Sequence, residues 1–402
     1  MKKDLMVSGF STILEEVLRE GAQKLLQQAI QNEVEEFIEF HKAERTVHNR
    51  RQVRRNGYLP ERNIQTGVGQ IRIHQPRVRG KAFSSAILPP YMRRTPSIDE
   101  LIPILYLKGI STGNMKEALV SILGENAKGL SPKNIERMKE QWVQDYDEWT
   151  RRDLSQKRYV YFWADGIYFT TRLSHERPCL LIILGVLEDG SKELVAIHDG
   201  IRESTLSWKE TLRDLKRRGL KEGPKLATGD GALGFWRALA EEFPESKAQR
   251  CWVHKTANIL DKMPKSVQES AKYRIHDMYM APSRDEAEKA FEEFFHLYEK
   301  KYPKACGCLL KDKEDLFTFY DFPAQCWQHI RTTNPIESTF ATVRHRTRQT
   351  KGCGSRKATL SMVFQLVREA QKRWKKLRGY KRIPEVLAGI VFKDGERTEH
   401  VA

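Results

Sequence analysis

Three carboxylates, far apart in the chain, sit where an acid is either costly or useful. Asp165 interrupts the aromatic run YFWADGIYF. Asp230 ends the short run KLATGD ahead of a helix signal, and Glu337 stands near the head of TTNPIESTFATVRHRTRQTKG. An acid inside a strand of that character is expensive unless it is paired, metal-bound or at a sheet edge. Each also has an ordinary explanation. Asp165-Gly166 is a hairpin-turn signal, and Asp230 suits the cap of a following helix. Glu337 falls three residues after Asn334, as in a capping box, with Pro335 in the first turn and the helix dipole favouring its charge. Singly, the ordinary explanation is the stronger one. As a set the acids describe other chemistry. Two carboxylates held close repel unless a divalent cation lies between them, and oxygen donors select Mg²⁺ or Mn²⁺. A third acid from a later helix completes a site for two ions, suited to in-line displacement at phosphorus.

The elements that must position these acids follow from periodicity. RYVYFWADGIYFTTRL is rich in aromatic and β-branched residues, and CLLIILGVLEDGSKELVAIHD holds two strand-like runs around Asp189-Gly190. STLSWKETLRDLKRRGL reads as an amphipathic helix begun by Ser204, then PKLATGDG as a strand, ALGFWRALAEEF as a helix and KAQRCWVH as a strand. The order β-β-β-α-β-α-β predicts a mixed sheet with helices on its faces. In the ribonuclease-H topology the first and fourth strands of such a sheet are neighbours, which sets Asp165 beside Asp230. A helical block over about 255–330 delays the helix of Glu337 and reads as an insertion.

The fold class expected is therefore α/β: a ribonuclease-H-like mixed sheet with a helical insertion over 153–402, closing in basic C-terminal helices. A mainly helical DNA-binding region precedes it. Residues 1–50 carry apolar residues at helix spacing, such as Ile13, Leu14, Val17, Leu18, Ile30 and Val34, for packing or self-association. Residues 51–95 read as a small basic β-element with Ile71 and Ile73 alternating on a half-buried strand. In 96–152, STGNMKEALVSILG and LSPKNIERMKEQWVQDYDEW are two helices around a short link, compatible with a helix-turn-helix or with a plain helical hairpin.

The 402 residues hold 70 Lys and Arg against 53 Asp and Glu, a formal net charge of +17. An excess of that size points to a polyanion, most commonly nucleic acid. It has no obvious role with neutral sugars, which disfavours a two-carboxylate glycosidase. No long uncharged apolar run predicts a membrane span, the N-terminus lacks a secretory pattern, and six cysteines in so long a chain suit a reducing cytoplasm, close to the nucleoid. Two groups of cations are candidates for phosphate contact: Arg50, Arg51, Arg54 and Arg55 at the start of the β-element, and Arg344, Arg346, Arg348 and Lys351 behind Glu337. Cys251 and His254 stand three apart at the end of the last strand. A zinc site would need further convergent ligands such as Cys306 and Cys308. Support of the acids by Cys251 and His254 is the favoured reading.

Spread over most of the chain are RNGY at Arg55–Tyr58, DG at Asp165, RES with Trp208, LKRRGL, GDG at Asp230, QRCWVHK and TTNPIES. Short singly, in this order they are specific, and the chain resembles the Mutator-type transposases of bacterial insertion sequences. The resemblance implies a ribonuclease-H-like catalytic domain whose Asp-Asp-Glu triad maps onto Asp165, Asp230 and Glu337. It also implies double-stranded DNA as partner, the element's terminal inverted repeats and a target, cleaved and joined with Mg²⁺ or Mn²⁺. The expected assembly is a homodimer on DNA. The rivals are a catalytically inactive, transposase-derived DNA-binding regulator and a structure-specific nuclease that cleaves without joining.

Overall fold

The structure, a computed structural model, describes residues 5–110, 114–115, 117–119, 132–169, 179–200, 202–231, 233–349 and 355–398. The chain divides into two compact units, Met1–Met138 and Lys139–Ala402. Among the described residues no helix is long and apolar enough to cross a membrane.

In the first unit, helix α1 (Leu5–Phe40) precedes four short strands, β1 (Arg54–Tyr58), β2 (Arg62–Thr66), β3 (Gly69–Ile73) and β4 (Pro76–Arg79). They form two antiparallel pairs, β1 with β4 and β2 with β3. Alternation buries Ile71 and Ile73, which pack with Ile64, Leu88 and Ile30 of α1. The Gln27 amide fastens α1 to this sheet, donating to the His74 carbonyl at 2.7 Å and accepting from the His74 N–H at 2.9 Å. The apolar face of α1 splits in use: Ile30 and Val34 are buried, whereas Leu14, Leu18 and Leu25 are exposed. Helix α2 (Pro96–Leu107) places Ile98 and Ile102 against Met115, Leu119 and Ile135. The second helix expected for 96–152 is present as α3 (Pro132–Thr150). The first, over STGNMKEALVSILG, and the link after it lie largely outside the described residues.

The second unit is built on a five-stranded sheet: β5 (Tyr159–Tyr168), β6 (Cys179–Leu187), β7 (Lys192–Gly200), β8 (Leu226–Gly229) and β9 (Lys247–Arg250). Its spatial order is β7-β6-β5-β8-β9. The first three strands run antiparallel in sequence, and β8 then pairs parallel with β5 and with β9. Strand β5, which carries Asp165, and β8, which Asp230 follows, are thus adjacent. One face carries Phe162, Ala164 and Ala227, packed under α4 (Thr205–Arg217) and α5 (Leu233–Glu242) through Trp208, Leu212, Phe235 and Leu239. Ser204 caps α4 by accepting from the Ser207 N–H.

The other face is covered by chain that follows β9. Helices α6 (Trp252–Leu260), α7 (Lys265–Met280), α8 (Arg284–Tyr298), α9 (Pro303–Leu310) and α10 (Lys313–Phe317) form the block between β9 and α11 (Asn334–Gln349). Three anchors then draw the chain back to the sheet. Trp163 Nε1 donates to the His329 carbonyl at 2.9 Å, Thr228 Oγ1 to the Ile330 carbonyl at 2.5 Å, and the Trp252 N–H to the Arg331 carbonyl at 3.1 Å. These bonds fix the start of α11. Helix α12 (Arg356–Gln371) follows.

Candidate active site

Asp165 lies inside β5, not at a turn: it pairs with Ile182 and its strand continues to Tyr168. The hairpin reading of Asp165-Gly166 therefore gives way to another reason for the glycine. A Cβ on Gly166 would fall 2.5 Å from Glu203 Cδ, so the bare backbone makes room for that side chain. Asp230 follows β8 directly and precedes α5 by three residues, so it is not the residue that caps the helix. Its flanking glycine also has a packing reason, since a Cβ on Gly231 would meet the buried Arg250 guanidinium.

Asp165, Glu203 and Asp230 each offer a carboxylate oxygen, and these oxygens lie within 4.8 Å of one another. Asp165 is only 7% exposed. Burial, the Asp230 charge and Glu203 push it up to about 7, against the pull of His254 and the Gly166 N–H, which donates to Oδ1 at 2.8 Å. Burial and Asp230 likewise push Glu203 up to about 7. Glu203 is a site residue that sequence reasoning missed. It precedes a helix cap, a place that reads as loop, and only its position within the run RES pointed toward it.

Glu337 stands in the neighbouring cluster. α11 begins at Asn334, so the residue before the helix is Thr333, and Glu337 is one position beyond the capping-box site. Its Oε1 accepts instead from Thr333 Oγ1 at 2.9 Å and lies 3.7 Å from His254 Nε2. Thr333 Oγ1 also lies 3.2 Å from Cys251 Sγ and 3.3 Å from His254 Nδ1, and the Thr333 N–H donates to Cys251 Sγ at 3.3 Å. Cys251 is positioned by its own N–H, which donates to the Gly229 carbonyl at 2.8 Å at the end of β8.

Hydrogen bonding to Cys251 holds His254 up at about 9 despite burial, and the charges of Cys251, Asp165 and Glu337 act in the same direction. His254 therefore feels both the acid trio and Glu337. Burial raises the Cys251 thiol, but its bonds with His254 and Thr333 outweigh that and leave it below the usual range. Cys251, His254 and Glu337 could in principle surround a metal. The Thr333 hydroxyl occupies hydrogen-bonding positions to all three, and among the described residues Cys306 and Cys308 join neither cluster.

The cations behind Glu337 divide. Arg344 is exposed, whereas Arg346 is 1% exposed and continues the inward stripe of Ile336, Phe340 and Val343. The Arg348 side chain and Lys351 fall outside the described residues. In the first unit Arg50, Arg51, Arg54 and Arg55 are all exposed, with Arg55 over the Tyr58 ring at 4.7 Å.

Residues 6–377 match the model of the family described as Transposase, Mutator family. The chain belongs to the Mutator family of transposases. It is 50% identical over 281 residues, 70% of this chain and 95% of the relative, to the transposase for insertion sequence element IST2 of Acidithiobacillus ferrooxidans. It is 49% identical over 302 residues, 75% of this chain and 93% of the relative, to the transposase for insertion sequence element IS6120 of Mycolicibacterium smegmatis. The transposase for IS256 in transposon Tn4001 of Staphylococcus aureus is 30% identical over 324 residues, 79% of this chain and 81% of that relative. In this transposase the matched region takes in Asp165, Glu203, Asp230, Cys251, His254 and Glu337.

Proposed function

We propose that this transposase cleaves DNA at the ends of a mobile element and joins the freed 3′-hydroxyls to a target, with Asp165, Asp230 and Glu337 as its acids. The observation that carries the reading is the placement of Asp165 on β5 and Asp230 directly after the adjacent parallel strand β8, with Glu337 reached through His254. The strand order β7-β6-β5-β8-β9 supports a ribonuclease-H-like catalytic domain. Asp165 and Asp230 fit Mg²⁺ or Mn²⁺: their carboxylate oxygens lie within 4.8 Å of each other, partly buried, and their mutual repulsion is of the kind a divalent cation relieves. Asp165 and Asp230 would hold the ions with Glu337. Metal ions held there would supply activation of the attacking oxygen and stabilisation of the leaving one.

The chain's own residues do the rest. The Gly166 N–H orients Asp165, and Thr333 and His254 orient Glu337. His254 adds positive charge beside the acids. Arg344 on the exposed side of α11 and the Arg50–Arg55 group are suited to phosphate backbone, with terminal repeats and target DNA as the partners. The outward Leu14, Leu18 and Leu25 of α1, at helix spacing, support a homodimer on DNA.

The test is single-turnover nicking of a duplex carrying the element's end, with and without Mg²⁺. Asp165→Ala, Asp230→Ala and Glu337→Gln should bind the duplex but lose cleavage, by ~10³-fold or more on the scale of lost electrostatic catalysis. A stable Glu337→Gln protein that cleaves at the wild-type rate would return Glu337 to a structural role. Cleavage without strand joining by the wild type would favour a nuclease.

A further inference from the structure

We propose that Glu203 is a further metal-ligating residue, which with Asp165 and Asp230 binds one divalent, oxygen-seeking cation on the free protein, independently of Glu337. The inference rests on the reading above and adds an acid to its site. Neighbouring and opposite ligand oxygens of one octahedral Mg²⁺-class ion lie roughly 3–4 Å apart, given metal–oxygen distances of about 2.1 Å. The oxygens of Asp165, Glu203 and Asp230 lie within 4.8 Å of one another, close enough for small side-chain adjustments to bring them to that spacing.

The position of Glu203 is built rather than incidental. Gly166 of β5 clears the space its carboxylate fills, and Gly234 of α5 clears its backbone, since a Cβ there would come 2.3 Å from the Glu203 carbonyl oxygen. Ser204, the next residue, is locked as the cap of α4. Glu203 is thereby delivered from the start of one helix onto the edge of the β5–β8 pair.

Compensation of Asp165 and Glu203 is partial: His254 draws both down, and Tyr168 hydrogen-bonds Glu203, yet both stay raised. Among the described residues neither Asp165 nor Glu203 has a Lys or Arg partner. The only hydrogen bond to the Asp165 carboxylate there is from the Gly166 N–H to Oδ1, so its second oxygen is unbonded in a side chain 7% exposed. A buried, half-satisfied carboxylate facing two more acids calls for a cation. Glu337 is committed elsewhere, to Thr333 and His254. Its engagement is thus separable from first-ion binding.

The experiment measures Mn²⁺ binding to the full-length protein without DNA, by the electron paramagnetic resonance signal of free Mn²⁺, with melting temperature as a folding control. Glu203→Gln should weaken binding by ~10–100-fold, the scale on which metal sites respond to lost support. Gly166→Ala, which keeps every carboxylate but displaces Glu203, should weaken it too. Glu337→Gln should leave it within about twofold. Wild-type affinity in either Glu203→Gln or Gly166→Ala, equal loss in Glu337→Gln, or no Mn²⁺ binding by the wild-type protein would overturn the proposal. Asp165→Asn separates the two levels. If it loses binding while Glu203→Gln does not, the site stands and Glu203 is outside it. If Asp165→Asn also binds normally, the underlying metal reading fails as well.

Discussion

Asp165 and Glu203, both held at about 7 against ordinary values of 3.8 and 4.5, make the metal-free site pH-sensitive. Between the ordinary and the raised values the folded chain binds protons that the unfolded chain has released. Stability from these groups is therefore fully present below pH 4 and lost as the pH rises through 7. Metal-free Asp165→Asn should accordingly melt higher than wild type at pH 8, with the gap closing toward pH 4; thermal denaturation at both values with chelator checks it. An Asn that melts lower at pH 8 would mean Asp165 is compensated by a group in the folded protein. Thr333 is a positioning residue on the same scale. Thr333→Val keeps its shape but removes the proton donated to Glu337 Oε1. We expect the cleavage rate at saturating DNA to fall ~10-fold, with little change in KM for DNA, and Thr333→Ser to restore it. A purely structural role would lower melting temperature without this kcat-against-KM split.

At the scale of elements, the glycines around the acids are the most exacting positions. Gly234→Ala would drive a Cβ into the Glu203 carbonyl and the Ser204–Thr205 backbone, none of which is a flexible side-chain end. A loss of ~1–3 kcal/mol is expected in urea unfolding, as for other overpacked sites. The same positions show how far the sequence could be read. Strands β5–β7 were legible from aromatic, β-branched and turn signals, and Ser204 announced α4, whereas β8 (LATG) and β9 (KAQR) carry little such signal and were legible only from their places between helices. Asp165 was legible as a strand residue, but Asp165-Gly166 also allowed a turn, because a glycine that clears space for a distant side chain looks locally identical to one that bends the chain. Glu203 was hidden for the same reason: it joins Asp165 and Asp230 only once β5, α4 and α5 are assembled. Arg346 was readable, since it lies at helix spacing from Ile336, Phe340 and Val343 and so faces inward. Charge drew attention away from periodicity. Glu337 was placed one position off because the cap is Thr333, and nothing local distinguishes Thr333 from Asn334 as the helix start.

At the scale of the whole molecule, a formal net charge of +17 should dominate DNA affinity. Lys and Arg side chains that neutralise phosphates release counterions, so a plot of log affinity against log salt should be steeply negative. Removing one phosphate-binding cation, as in Arg54→Ala or Arg344→Ala, should flatten that slope by roughly one unit. Fluorescence anisotropy with a labelled end duplex across a salt series checks it, and an affinity that does not change with salt would exclude a phosphate-dominated interface. The central claim is that Asp165 and Asp230 hold the catalytic ions, and metal preference tests it most directly. In Asp230→Cys a soft thiolate replaces a hard carboxylate, which disfavours Mg²⁺ far more than the more thiophilic Mn²⁺. The account predicts an end-cleavage rate near zero for Asp230→Cys in Mg²⁺ and substantial recovery in Mn²⁺, with Asp230→Ala inactive in both. Equal activity of Asp230→Cys in the two metals, or an active Asp230→Ala, would contradict it.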